Sequence, residues 1–226
     1  MRPRVLDLFC GAGGAAAGYA RAGYDVVGID IHPQPNYPFT FIQGDALTAD
    51  PDWIARFDLV HASPPCQPYS DLAHLYSDQD KWPDLVGRTR DLIRRSTDGP
   101  YVIENVDRAP LKYRLSITLC GTQFPGLRVI RHRVFESNVP LRKALIPHPA
   151  HPFVFTHDRR KAHRGKLDQS TAFVSVTGGG NCTIDNARDA MGIDWPMTKA
   201  EINEAIPPAY TAWVGKKILE TAGRNH

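Results

Sequence analysis

The first half of the chain alternates short apolar runs with amphipathic stretches. Residues 5–9 predict a buried strand, and residues 14–22 predict a helix stopped by Gly23. Further strands are predicted at 24–29, 39–42, 57–61 and 101–103, with a helix at 84–95. Strands and helices alternating at this pitch imply a parallel sheet with right-handed crossovers. The expected fold is therefore α/β, a doubly wound and mostly parallel sheet. After Phe135 the alternation stops. Residues 138–170 hold Pro140, Pro147, Pro149 and Pro152 with His148, His151, His157 and His163, a loop-like composition. Helical periodicity returns at 185–191, 199–204 and 208–221, and Pro207-Pro208 opens the last of these where a first turn tolerates proline. No internal repeat is visible. The expected divisions are 1–137, 138–184 and 185–226.

At 226 residues, with 42% hydrophobic and 23% charged side chains, the chain has the size and composition of one globular domain. No apolar run approaches the roughly 18 residues that span a bilayer. Asp7 and the glycines interrupt the N-terminal stretch where a signal peptide would need an apolar core. A soluble cytoplasmic protein is expected. Cys10, Cys66, Cys120 and Cys182 are widely spaced with no C-x-x-C pair, which argues against a zinc ribbon or disulfide scaffold and fits a reducing compartment. Charge changes the picture more. Residues 128–166 carry ten basic groups against Glu136 and Asp158, a net +8 in a chain whose total is +3. A basic stretch on a slightly acidic body implies a polyanion-facing surface, with a solvated loop as the plainer alternative.

The candidate chemistry lies at the predicted strand ends. The first strand runs into Asp7-Leu8-Phe9-Cys10-Gly11-Ala12-Gly13-Gly14, a turn whose glycines permit close backbone approach to a ligand. Gly11-x-Gly13-x-x-Ala16 with Asp30 at the end of the second strand satisfies a relaxed dinucleotide fingerprint. This supports an adenosine-bearing cofactor without separating a nicotinamide from S-adenosylmethionine. Asp45, in Gly44-Asp45-Ala46 after the third strand, can accept a hydrogen bond from an adenine amino group. The fourth strand ends in Ser63-Pro64-Pro65-Cys66-Gln67-Pro68-Tyr69-Ser70, a stiffened turn presenting a thiol at the carboxyl edge of the sheet. The fifth ends in Glu104-Asn105-Val106, which brings a carboxyl to the same edge. Such a carboxyl can have a raised pKa and hold or donate a proton.

Together these motifs resemble the cytosine-C5 DNA methyltransferase family. DLFCGAGG resembles its cofactor loop, SPPCQPYS its nucleophile loop and ENV its acid motif. Arg131-His132-Arg133-Val134-Phe135 is similar to its paired-arginine strand, and Ala205-Ile206-Pro207-Pro208 to its C-terminal motif. The compact chain looks most like small phage-encoded members, such as those linked to restriction–modification. The resemblance covers 4–135 and roughly 185–222 and implies a Rossmann-like fold. By it, 1–137 would be the catalytic and cofactor-binding domain, 138–184 a reduced target-recognition region, and 185–226 helices returning to the catalytic domain. It further implies that Cys66 attacks C6 of a cytosine flipped out of double-stranded DNA, and that Glu104 engages N3. Arg131 and Arg133 would assist the thiolate or hold the nucleotide. S-adenosylmethionine would be held by Phe9, Gly11, Gly13, Gly14, Asp30, Ile31, Asp45, Ala46 and Pro65. Gln67, Ser70, Arg159, Arg160 and Lys161 would contact nucleic acid.

Three departures stand out. Val129 replaces a family glutamine, Glu204 replaces a family asparagine, and the recognition region is short. The same chemistry on RNA and a catalytically weak nucleic-acid-binding relative are the alternative readings. A monomer is favoured and no membrane association is expected. His148, His151, His157, His163 and Cys182 offer a zinc set whose spacing matches no strong template. No metal is expected, and loop histidines near phosphates are the preferred reading. If Arg159, Arg160 and Lys161 each contact a phosphate, neutralising all three should flatten the log–log salt dependence of duplex binding by about 0.9 per lost contact. An unchanged slope in titrations across salt would assign the run to a solvated loop.

Overall fold

The computed structural model describes residues 1–69, 84–141, 146–151, 154–155, 173–174, 176 and 182–223. Its elements are β1 (Arg4–Leu8), α1 (Gly14–Ala22), β2 (Asp25–Asp30), β3 (Thr40–Gln43), α2 (Pro51–Ile54), β4 (Leu59–Ala62) and α3 (Val86–Ser96). There follow β5 (Tyr101–Asn105), β6 (Ser116–Leu119), β7 (Arg133–Ser137), the short β8 (Val154–Phe155) and β9 (Phe173–Val174), then α4 (Ile184–Met191), α5 (Lys199–Glu204) and α6 (Pro208–Ala222). Seven strands form one sheet in the order β3-β2-β1-β4-β5-β7-β6, and β8 pairs with β9 in parallel. β1 to β5 run parallel, whereas β7 is antiparallel to both neighbours.

The predicted doubly wound α/β fold is what forms; α2 and the short pair β8–β9 are elements the pattern did not mark, and two further differences stand out. Element boundaries move by up to two residues, as with β4 at Leu59–Ala62 rather than 57–61. The antiparallel pair β6–β7 extends the sheet beyond the five expected strands. Four residues such as Ser116-Ile117-Thr118-Leu119 carry too little pattern to mark a strand; cross-strand pairing to β7 makes them one.

Parallel strands covered on both faces must be apolar on both faces. Val5, Leu59 and Val102 face a cluster with Tyr19 of α1 and Tyr210 and Val214 of α6. Leu6, Leu8, Val60 and Ile103 face the other way, onto Ile54, Leu92 and Ile93 of α2 and α3. A third cluster joins Val129, Val174 and Val176 to Met191 of α4, Ile202 of α5 and Ala12 of the first turn. The C-terminal elements thus pack onto the glycine loop. A bidentate ion pair ties α3 to β7: Arg90 Nε and Nη2 donate to Glu136 Oε1 and Oε2 at 2.8 and 2.7 Å. Among the described residues, no helix is long and apolar enough to cross a membrane.

The chain order reverses beside β1: it runs outward through β2 and β3, then returns to β4 on the other side. The carboxyl ends of β1 and β4 therefore part and leave a crevice, the usual ligand site of such sheets. Close packing of α1 on α6 fixes the wall behind it. A Cβ on Gly18 would overlap the Thr211 hydroxyl and the Pro208 carbonyl, and Thr211 Oγ1 donates to the Ala15 carbonyl at 2.8 Å. Helix propensity alone would make Gly18→Ala stabilising by roughly 0.5–1 kcal/mol. The packing reverses that sign. Gly18→Ala should lower unfolding free energy by about 1–3 kcal/mol in denaturant titration, the ordinary cost of overpacking.

Candidate active site

The turn after β1 is built from unusual backbone. Phe9 has φ 58°, and Gly11 and Gly13 have φ 49° and 91°. A left-handed conformation at a residue with a bulky side chain persists where surrounding bonds over-determine it. Here the Cys10 amide donates to the Ile29 carbonyl at 3.0 Å, and the Gly11 amide donates to Asp30 Oδ2 at 3.0 Å. The other oxygen of Asp30 accepts from the His32 amide at 2.9 Å, so one carboxylate holds both turns. Trp195 Nε1 donates to the Ala12 carbonyl at 3.0 Å from the far side.

The turn after β4 is clamped in a different way. Asn105, buried at the end of β5, donates through Nδ2 to the Pro64 carbonyl at 2.8 Å. The Tyr69 amide closes a short turn on the Cys66 carbonyl at 3.0 Å. Together these bonds set Cys66 opposite the glycine turn. Glu104 precedes Asn105 on the same strand and is buried. Its Oε1 lies 3.1 Å from Arg133 Nε, and Arg133 Nη1 donates to the His132 carbonyl at 2.8 Å.

Phe9, Gly11, Asp30, Cys66, Glu104 and Arg133 line one cleft of about 420 Å³ at this edge. Gly14, Ile31, Pro65 and Gln67 border it too. Gly13, Asp45, Ala46 and Arg131 do not. Gly13 packs against Tyr37 and Pro38, and the Asp45 carboxylate accepts from the Leu47 amide at 2.9 Å. Arg131 is spent on structure: Nη1 donates to the Val176 carbonyl at 2.9 Å and Nη2 to the Asn203 carbonyl at 2.6 Å. Ser70, Arg159, Arg160 and Lys161 lie outside the described residues.

Burial dominates the electrostatics. It pushes the Cys66 thiol above its ordinary pKa; Arg133 and Arg131 pull it down, and Glu104 and Glu204 push it up. Burial likewise raises the Glu104 carboxyl against the pull of Arg133, a hydrogen bond to Ser63, and Arg131. Arg131 itself is pushed down to about 9 by burial and by Arg133.

Three contributors, His61, Asp7 and Glu201, were not singled out in the sequence, and Glu204 was noted there only as a departure. His61 is fully buried and pushed down to about 3 by burial, so it is neutral. It bridges Tyr19 OH at Nδ1 (2.9 Å) and Ser63 Oγ at Nε2 (2.8 Å), and Ser63 in turn meets Glu104. Asp7 is buried with its carboxyl raised well above the usual range by burial and by the charges of Asp30 and Glu104. Glu201 and Glu204 of α5 form the opposite wall of the cleft. A polar residue such as Asp7 or His61 inside an otherwise apolar strand was the available signal.

A doubly wound sheet with a glycine turn, a thiol turn and a buried carboxyl at one switch point defines a class, the Rossmann-like methyltransferases. A sequence profile of the C-5 cytosine-specific DNA methylases matches residues 3–116, and the chain belongs to that family. It is a DNA cytosine-C5 methyltransferase acting with a methyl-donor cofactor. The match contains the glycine turn, Cys66 and Glu104. None of the curated proteins matches the chain.

Solved structures share the fold over nearly the whole chain. A prophage-encoded protein of E. coli, described as a DNA modification methyltransferase, is 16% identical with a TM-score of 0.68, covering 98% of this chain and 99% of that one. Dnmt2 methyltransferase of S. pombe is 14% identical, with TM-score 0.59 and the same coverages. The Entamoeba histolytica methyltransferase EhMeth is 10% identical, with TM-score 0.62 and again 98% and 99% covered.

The thiol chemistry can be tested directly. Alkylation proceeds through the thiolate, and at a fixed pH below the pKa the thiolate fraction falls about tenfold for each unit the pKa rises. Alkylation of Cys66, followed by peptide mapping, should titrate above the range of an exposed cysteine. Arg133→Gln should move that profile to higher pH, and Glu204→Gln to lower pH.

Proposed function

We propose that Cys66 is the nucleophile and Glu104 the acid in transfer of a methyl group from S-adenosylmethionine to C5 of cytosine in double-stranded DNA inside the cell. The observation that carries this reading is the convergence of Cys66, Glu104 and Arg133 on the cleft that the glycine turn also lines. Residues 1–137 would form the catalytic and cofactor-binding unit, with 138–184 reading the target.

The cleft suits the proposed donor. A Cβ on Gly11 would enter open space, which leaves the turn's backbone free to approach a ligand. Phe9, Gly11, Asp30, Ile31 and Pro65 would hold the group. When bound, S-adenosylmethionine supplies an electrophilic methyl group to C5.

The chain's own residues do the rest. The Cys66 thiolate forms a bond to C6, and the ring takes up the electron pair. Glu104, kept as a carboxylic acid more readily by its burial, gives its proton to N3 and stabilises the electron-rich ring. Arg133 positions the Glu104 carboxyl and lowers the cost of the thiolate. After C5 carries the new group, its proton passes to solvent water, the S–C6 bond breaks, and the 5,6 double bond returns. N3 hands its proton back to Glu104, and Cys66 leaves as thiolate. The base must leave the stack for C6 to reach a buried thiol, at a cost of a few kcal/mol.

Fluorine at C5 cannot depart as a proton. Duplex DNA carrying 5-fluorocytosine should therefore trap the protein covalently, only with the methyl donor present, through the peptide that holds Cys66. Cys66→Ala should abolish turnover and trapping while retaining donor binding by calorimetry. Glu104→Gln should slow methylation by about 10²–10⁴-fold. Matched RNA serves as the control substrate. Full methylation by the Cys66→Ala protein would overturn the assignment.

A further inference from the structure

Four ligand-type side chains that the catalytic scheme does not use meet beside the arginine strand. Cys120 follows β6, and His132 sits between Arg131 and Arg133 at the entry to β7. His148 and His151 come from the proline-rich stretch. One donor atom from each of the four lies within 4.8 Å of all the others. His148 Nε2 is 3.3 Å from His132 Nε2 and 3.3 Å from His151 Nε2. Cys120 Sγ is 3.6 Å from His151 Nε2.

These three separations match edges of a metal-centred tetrahedron, and the other three are no longer than 4.8 Å. Zinc binds imidazole nitrogen at about 2.0–2.1 Å and thiolate sulfur at about 2.3 Å. Tetrahedral angles between such bonds place neighbouring nitrogens about 3.3–3.4 Å apart, and nitrogen and sulfur about 3.5–3.6 Å apart. Hydrogen bonding accounts for the convergence less well. His148 Nε2 faces two other Nε2 atoms, and one proton bridges one pair. Exposed imidazoles have water available and gain little by crowding their nitrogens together. The sulfur is also prepared: Cys120 is fully buried, and Thr122 Oγ1 donates to its Sγ at 3.3 Å. A hydroxyl aimed at sulfur is the outer-shell support that a metal-bound thiolate uses.

We propose that Cys120, His132, His148 and His151 form a site for one zinc ion. Four protein donors leave no open position, so the ion is structural rather than catalytic. A thiolate with three imidazoles selects zinc over magnesium or calcium. The ion staples 146–151 to the ends of β6 and β7, next to the backbone that carries Arg131 and Arg133. It thereby fixes the chain where 138–184 leaves the sheet and supplies stability that so short a segment lacks. This revises the reading of the histidines from sequence. Cys182 is not among the four donors and borders α4, while His157 and His163 lie outside the described residues.

The test uses the full chain without a polyhistidine tag, expressed in zinc-supplemented medium and dialysed against metal-free buffer. Mass spectrometry of metals should find one zinc per chain. Chelator competition should place the affinity below micromolar, and removal of zinc should lower the melting temperature. Cobalt(II) should replace the ion with the intense visible bands of tetrahedral coordination and a thiolate charge-transfer band. Cys120→Ser should lose the charge-transfer band, and Thr122→Val should weaken zinc binding by about 10–100-fold. Because Cys120 is buried, the surface double variant His148→Ala/His151→Ala is the decisive one. It should stay folded by circular dichroism and lose the metal. A wild-type chain that takes up no zinc, or a double variant that holds one zinc as tightly as wild type, would overturn the proposal.

Discussion

One buried guanidinium closes this molecule. Arg131 reaches the carbonyls of Val176 and Asn203 at 2.9 and 2.6 Å, and its own carbonyl accepts the Tyr210 hydroxyl at 2.6 Å. These three bonds join the stretch after β9, the end of α5 and the start of α6 to the strand bearing Arg133. Burial pushes Arg131 down to about 9, so it still carries its charge at neutral pH. Fixed carbonyl dipoles offset part of the desolvation cost. Glu201 and Glu204 line the cleft because α5 is held in this way. The open side of the site thus depends on an interaction made behind it.

The cleft itself is a balance between burial and charge. Asp7, Glu104 and Glu204 are all raised, with burial the largest cause in each. The same desolvation raises Cys66. It makes the thiol a poorer thiolate and the glutamate a more available acid. Arg133 moderates both, since it pulls down the thiol and the carboxyl together. A neutral His61, linked to Tyr19 and Ser63, steadies the Glu104 side without adding a competing charge.

Most of the fold could be read from local pattern. The run 5–9 and the helix 14–22 became β1 and α1 almost residue for residue, and α5 kept its bounds of Lys199–Glu204. These elements have enough length and contrast to carry a period. Residues 116–119 do not, and they became β6 by pairing with β7. The candidate site was legible where chemistry sits at a strand end, as at Cys66 and Glu104. It was less legible at the arginines. Arg131 and Arg133 are only two residues apart, yet Arg133 opens β7 and faces the cleft, while Arg131 precedes the strand and turns to backbone carbonyls.

The sequence by itself determined the alternation of strands and helices, the glycine turn, and the identity of the thiol and carboxyl at neighbouring strand ends. Those are local matters of periodicity, turn chemistry and residue type. The tertiary structure decided which distant groups meet. Asp30 clamps the turn at Gly11, Ser63 meets Glu104, and Cys120 finds His132, His148 and His151. The first pair has a fingerprint spacing, which marked Asp30 as a ligand group and not as the clamp on the turn; the other two sets have no spacing that marks them. The first two arise because neighbouring strands bring their ends within a few ångströms of one another; the third also needs the stretch 146–151, which belongs to no strand, to lie against the ends of β6 and β7.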